Sequence, residues 1–229
     1  MVFVQAKAGP HLPEDPESQF IVHYFDEKGN VTIRSGGTRA WRCNNPGALL
    51  KSPYSIGKDR HSIGTAGYGK YEYAVYPDYD TGHEALVVML RGSVYSPLTL
   101  EEASLRYVKE DPNHIHKIVA ISKLDPTRTI KSLSRTEFEI YWKAIEQNEG
   151  WGVGQENFIE KWHISGVHKR RGVIAEYLIN KSGTSVWTSK EDALGFAKNG
   201  RLHVVIVCLK NGTTYLRPEF GSHAFHVIV

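Results

Sequence analysis

"SRTEFEIYWKAIEQNEGWG", residues 134–152, decides how the chain folds. Ser134 with Glu137 three residues later is a capping box, in which each side chain satisfies the other's backbone amide. Phe138, Tyr141, Trp142 and Ile145 then recur at the spacing of one helix face. The segment predicts a core-facing helix stopped at Gly150. Glu149 stands one turn beyond Ile145, on the face that otherwise buries apolar groups. A carboxylate there loses hydration, which favours the protonated form that a general acid needs. The negative end of the helix dipole acts in the same direction, and Trp151 supplies an apolar wall. Glu146 reads as facing solvent, with Glu139 and Lys143, which can pair with each other at i,i+4.

Further helical segments lie upstream. "TLEEASLRYVKE" repeats the capping box at Thr99 and Glu102, with Leu105 and Val108 on its apolar face. "DTGHEALVVMLRGS" sets Ala85, Val88 and Met89 on one face, and Gly92 stops it. "PNHIHKIVAIS" predicts a short helix after Asn113. Before these, "QFIVHYFDEKGNVTIRSGG" reads as a hairpin, with runs Phe20–Phe25 and Val31–Ile33 around residues 27–30. "KYEYAVYPDYD" alternates like a short strand, after a glycine-rich run from Gly57 to Gly69. Residues 1–19, rich in Pro, Glu and Asp beyond residue 7, read as an extended leader.

After Gly150 the character changes. "GWGVGQEN" is a glycine-rich joint, and residues 159–229 follow the order β-β-α-β-β, with "SKEDALGFAKNG" as the helix and Lys210-Asn211-Gly212 as a hairpin turn. The expected class is α+β: a mainly helical domain over 20–154 carrying a short hairpin, and a small α+β domain over 159–229.

Composition sets the outer bounds. The 229 residues suit one medium and one small domain, and 41% apolar residues are ample for a packed core. A net charge of +3 lacks the strongly basic face of a nucleic-acid binder. No stretch approaches the ~18 apolar residues of a membrane span. The first twenty residues lack a charged segment followed by an apolar one, so no secretory signal is expected. Cys43 and Cys208 form no C-x-x-C pair, which excludes a zinc site of that kind.

Three apparent motifs carry other chemistries. Gly64–Lys70 matches the spacing of a phosphate-binding loop, but Tyr71 stands where Ser or Thr would hold magnesium, and no helix opens after it. His114 and His116 point to different faces of a helix, so joint metal binding is disfavoured. Cys43 with His61 has the residue types of a cysteine nucleophile and its base, the chemistry of a cysteine hydrolase.

Three segments together resemble a lysozyme-like group of bacterial and phage peptidoglycan hydrolases. "GGTRAWRCNNPGALL" is similar to that group's "RAWRNNNPGNI" pattern, with Cys43 in place of the first asparagine. "GTAGYGKYEYAVYPDYDTGHEALVVML" resembles its "AIG…FAVFPD…G…AL…LL" pattern. "LSRTEFEIYWKAIEQNEGWGVG" resembles its "AI…EGW…G" end. "KEDPNHIHK" stands where the group often has "PPxENDxxxY". In related glucosaminidases a helix ending "ESGWG" supplies the catalytic acid ahead of an "NN-FGIK" segment; here "NEGWG" follows "NNPG", a permuted order of similar parts.

The resemblance implies cleavage of the β-1,4 bond between the amino sugars of peptidoglycan, as a hydrolase or a lytic transglycosylase, with Glu149 as general acid and no cofactor or metal; the alternatives are a peptidoglycan amidase or peptidase using Cys43 and His61, and a non-catalytic module binding cell wall or a partner. Arg42, Asn44, Asn45, Tyr73 and Trp151 would line the sugar cleft. Asp78 and Asp80 are available for the opposite side of the bond. Residues 159–229 are similar to a small bacterial domain of unknown function, which implies no chemistry. Chains of this type resemble antibacterial effectors or phage lysins: made in the cytoplasm, carried by a secretion apparatus to a target's periplasm, and countered by a cognate immunity protein. Neither nucleic acid nor membrane is an expected partner.

Overall fold

The computed structural model describes residues 2–10, 12–51, 61–69, 72–108, 113–181, 183–218 and 226–228. Lys70 and Tyr71, residues 57–60 of the glycine-rich run and residues 109–112 of "KEDPNHIHK" lie outside these. Two compact units divide the chain: Met1–Phe25 with Ile33–Asn157, and Asp26–Thr32 with Phe158–Val229. The architecture mixes helices with small, largely antiparallel sheets, within the expected α+β class. No helix among the described residues is long and apolar enough to cross a membrane.

The first unit holds strand β1 (Phe3–Ala8) and most of β2 (Val22–Asp26) and β3 (Val31–Ser35), then the short helix α1 (Arg39–Arg42) and a small hairpin, β4 (Gly64–Ala66) with β5 (Tyr73–Val75). Four helices follow: α2 (Tyr79–Arg91), α3 (Leu100–Tyr107), α4 (His114–Ser122) and α5 (Arg135–Glu149). Strand β6 (Gln155–Ile159) closes the sheet order β1-β2-β3-β6. Where the sequence reads a leader, Phe3–Ala8 is thus a sheet strand. Ala6 joins Val22, Tyr24, Cys43, Ala66 and Val75 in a buried cluster, and that burial fixes the segment.

Both capping boxes form. Ser134 accepts from the Glu137 amide while the Glu137 carboxylate accepts from Ser134, and Thr99 and Glu102 do the same. Arg128, paired with Glu137, and these bonds from Ser134 hold the Glu137 carboxyl down to about 2. A second cluster joins the helices: Leu86 and Leu90 of α2, Leu100 and Ala103 of α3, Ile115 and Ile118 of α4, and Phe138, Tyr141, Ala144 and Ile145 of α5. The α5 stripe is the one read from the sequence. The faces of α2 and α3 are not. Val88 is 61% and Leu105 51% exposed, while Gly82, Leu86 and Leu90 form the inner face of α2. Gly82 sets that rotation: a Cβ there would overlap the Asn44 carbonyl, so the helix seats glycine-side down.

The second unit pairs β7 (His163–Arg170), β8 (Val173–Lys181) and β9 (Thr184–Ser189) antiparallel, with β12 (His226–Ile228) parallel to β7. Helix α6 (Lys190–Lys198) and the hairpin of β10 (Val204–Cys208) with β11 (Thr214–Pro218) complete it. Strands β9 and β12 extend the expected β-β-α-β-β order. Its core comprises Ile164, Val167, Tyr177, Ile179, Ala193, Leu202 and Leu216. The Leu216 amide donates to the buried Tyr177 hydroxyl at 2.9 Å.

Candidate active site

Helix α5 ends at Glu149 because Gly150 takes φ = 77°, a left-handed conformation that glycine adopts without a Cβ penalty. The chain leaving the helix runs against the segment before α1. Thr38 donates its amide to the Gly152 carbonyl at 2.9 Å, and its hydroxyl accepts from the Gly152 amide at 3.1 Å. The same hydroxyl caps α1 by accepting from the Trp41 amide. A Cβ on Gly37 would overlap the Gly152 carbonyl, and one on Gly154 would overlap the Ser35 carbonyl. Two glycine-rich segments therefore meet main chain to main chain. This joins the "GGTRAW" and "NEGWG" stretches.

The Glu149 side chain is 21% exposed, and its Oε1 lies 3.7 Å from His114 Nε2. His114 is buried; its Nδ1 lies 2.5 Å from Ser104 Oγ, and its Nε2 has no hydrogen-bond partner. The Tyr107 ring stacks on His114 with centroids 5.6 Å apart, and the Tyr107 hydroxyl donates to the Gly47 carbonyl. Burial, then the Glu149 charge, raises the Tyr107 phenol well above its ordinary value, which keeps it a neutral donor.

Glu146 differs from its sequence reading. Its side chain is only 12% exposed, less than Glu149. Tyr79 donates its hydroxyl to Glu146 Oε2 at 2.9 Å, and His83 Nδ1 lies 2.8 Å from Oε1. The α2 side chains cover a face that α5 alone would leave open. Loss of hydration and the bond to Glu146 push the Tyr79 phenol up to about 12. The rings of Tyr79 and Trp151 meet edge to face at 4.9 Å, and those of His83 and Trp142 at 4.4 Å. Tyr79 and Trp151 remain 38% and 39% exposed, which gives an aromatic corner beside the end of α5. Glu139 and Lys143 pair on the outer face, as their spacing predicts.

The residues of the Thr38–Leu50 wall divide by role. Asn44 takes φ = 50°, which asparagine tolerates. Its amide donates to the carbonyls of Tyr76 and Pro77 at 3.1 and 3.0 Å, and its oxygen accepts from Arg34 at 2.7 Å. The fully buried Asn45 donates to the Leu49 and Ala74 carbonyls and accepts from the Leu49 amide, each at 2.9 Å. Both amides are consumed by the protein itself, and they tie the wall to β5 and the start of α2. Asp78 caps α2 by accepting from the Thr81 amide at 2.8 Å. Tyr73 lies on β5, edge-on to Phe20 at 5.9 Å.

Arg42 is buried, pairs with Glu17 at 2.9 Å and leaves Nε without a partner. Burial opposes ionisation of Glu17, but Arg39 and Arg42 outweigh it and hold the carboxyl below its ordinary value. An open groove of about 420 Å³ runs past Asp15, Glu17, Ile21, Ser35, Gly36, Gly37 and Arg42. Glu149 does not line it; only the Gly36–Gly37 stretch is common to the groove and the glycine junction.

Cys43 sits in the sheet-side cluster, 1% exposed, and burial pushes its thiol up to about 12. No hydrogen bond joins it to the exposed His61. His116 is exposed while His114 is inside, and no group of three metal-ligating side chains assembles among the described residues. Thus the structure sets two groups at the end of α5, Glu149 with His114 and Tyr107, and Glu146 with Tyr79, His83 and, through Tyr79, Trp151; the sequence reading named His114 only as a metal candidate and left out Tyr79, His83 and Tyr107. The i,i+4 spacing of Tyr79 and His83 was the available signal for that pair. Arg34 also went unread; it meets Asn44, the Trp41 carbonyl and Glu156 and lies over the Trp41 ring at 4.9 Å. In comparisons with known proteins, no family model matches the chain and no curated protein matches it.

Proposed function

We propose that the chain cleaves the glycan strand of peptidoglycan, with Glu149 as general acid. One observation carries the reading: a mostly buried carboxylate at the outlet of α5 lies against a buried histidine and close to exposed aromatic rings. Protonated Glu149 donates to the glycosidic oxygen as the sugar–oxygen bond breaks through an oxocarbenium-like transition state. The attacking group comes from the opposite face: a water, the substrate's acetamido oxygen or its 6-hydroxyl. Trp151 and Tyr79 offer ring faces to sugar. Asn44 and Asn45 serve by shaping the wall. On this reading, which rests on the three motif resemblances, the enzyme works in the periplasm of a target bacterium. A secretion apparatus carries it there, and a cognate immunity protein counters it.

The test is mass spectrometry of soluble products from purified sacculi, for the wild type and Glu149→Gln. Glycan cleavage by the wild type and its loss in the variant support the proposal; full activity of Glu149→Gln overturns it. Free stem peptides whose release depends on Cys43 would instead mark an amidase, against which stand the burial of Cys43 and its raised thiol. Retention of sacculi without any cleavage would mark a binding module.

A further inference from the structure

We infer that His114 is a positioning residue for Glu149, a role that rests on the glycan-cleaving reading above. The argument starts from hydrogens. Ser104 is 2% exposed, and among the described residues the acceptor its hydroxyl meets is His114 Nδ1. If Nδ1 carried the proton, the serine hydrogen would be buried without a partner, which costs about 1–3 kcal/mol. The serine therefore donates, and the neutral imidazole carries its proton on Nε2. That N–H is buried and unpartnered, and Glu149 Oε1 lies 3.7 Å away. A carboxyl shift of less than about 1 Å brings the pair into hydrogen-bond range, the kind of tightening expected when substrate fills a site. Tyr107, the other polar group stacked on this ring, spends its hydroxyl on Gly47 and does not compete.

The consequence is chemical. With Nε2–H on Oε1, the acidic proton of Glu149 sits on Oε2 and faces the leaving group. When that proton passes to the glycosidic oxygen and the sugar–oxygen bond breaks, Glu149 becomes an anion. The bond from His114 is then charge-assisted and roughly twice as strong as a neutral one. It stabilises the transition state more than the bound substrate, so its loss lowers kcat more than it raises KM.

The test uses two isosteres on soluble, uncrosslinked glycan strands. His114→Asn keeps a group for Ser104 and removes the reach to Glu149; His114→Gln restores a donor near the Nε2 position. The expected result is a kcat lowered roughly 10- to 100-fold in His114→Asn, from the loss of one charge-assisted bond, with KM within about twofold and an unchanged melting temperature. His114→Gln recovers a substantial part of kcat. Imidazole nitrogen NMR of the intact protein is expected to find Nε2 protonated and Nδ1 bare. Protonation on Nδ1, or wild-type kcat in His114→Asn alongside an inactive Glu149→Gln, overturns the role of His114 alone. Parallel loss of activity and melting temperature in both variants reduces it to packing. Activity in Glu149→Gln removes the reading beneath it.

Discussion

Thr38 and Gly152 grip each other twice, amide to carbonyl at 2.9 Å and hydroxyl to amide at 3.1 Å, three residues past the end of the catalytic-candidate helix. Residues 114 apart in sequence thereby fix the direction in which the chain leaves Glu149.

Thr38→Val keeps the shape and removes the hydroxyl that both Trp41 and Gly152 donate to. It should lower stability by about 1–2 kcal/mol in urea titration, whereas Thr38→Ser should stay within about 0.5 kcal/mol. On the proposed function, glycan cleavage should fall with Thr38→Val even below its melting range.

Asn45→Ala strands the Leu49 amide and removes a donor from the carbonyls of Leu49 and Ala74, of which Leu49 keeps the Ala74 amide. A loss of about 3 kcal/mol is expected, read as a lower urea midpoint at unchanged slope. On the proposed function, the folded fraction should bind glycan as the wild type does. A large KM effect without a stability effect would return Asn45 to the sugar cleft.

Cys43 and Cys208 should separate cleanly with a thiol reagent: the exposed Cys208 reacts in the native protein, and Cys43 only after unfolding. Cys43 also gives a pH signature. Its folded value is raised from 9.0 to about 12, so between those values the native state holds a proton that the unfolded state has lost. Stability from this group is complete below pH 9 and falls by up to roughly 1.4 kcal/mol per pH unit above it. Buried Tyr24, Tyr107 and Tyr141 add slopes of the same sign above about pH 10. Cys43→Ala should flatten the curve near pH 9–10 and leave activity within about twofold.

Glu146→Gln replaces an acceptor by a group with one acceptor and one donor, so His83 must take the tautomer that accepts on Nδ1 or one of the two bonds is lost. Destabilisation of about 1–2 kcal/mol is expected. Trp142 and Trp151, in contact with His83 and Tyr79, should report the change in their fluorescence. An unchanged spectrum and midpoint would mean that Glu146 holds nothing.

Much of this was legible where chemistry is local. The boxes at Ser134 and Thr99, the stop at Gly150 and the turn at Gly212 depend on residues within a few positions, and each formed. Misreadings arose where a distant segment intervenes. The Asn44 carbonyl turns α2 onto Gly82, which an apolar count cannot foresee. Tyr79 and His83 cover Glu146 from another helix. Val22 and Tyr24 give β1 a partner surface and draw a leader-like stretch into the core. At the candidate site, the isolated sequence marks Glu149 and Trp151 but not His114, whose meaning depends on Ser104 and Tyr107 one helix earlier.

Where Gly37 and Gly154 lie against the facing main chain, no side chain stands between the two segments of peptide. The separation there is set by atoms that every amino acid shares, so it cannot drift through gradual changes of side-chain size. A residue larger than glycine at Gly37 or Gly154 would force the segments apart. The direction in which the chain leaves Glu149 is thus set at these points by its main-chain path, whatever side chains come to surround the end of the helix.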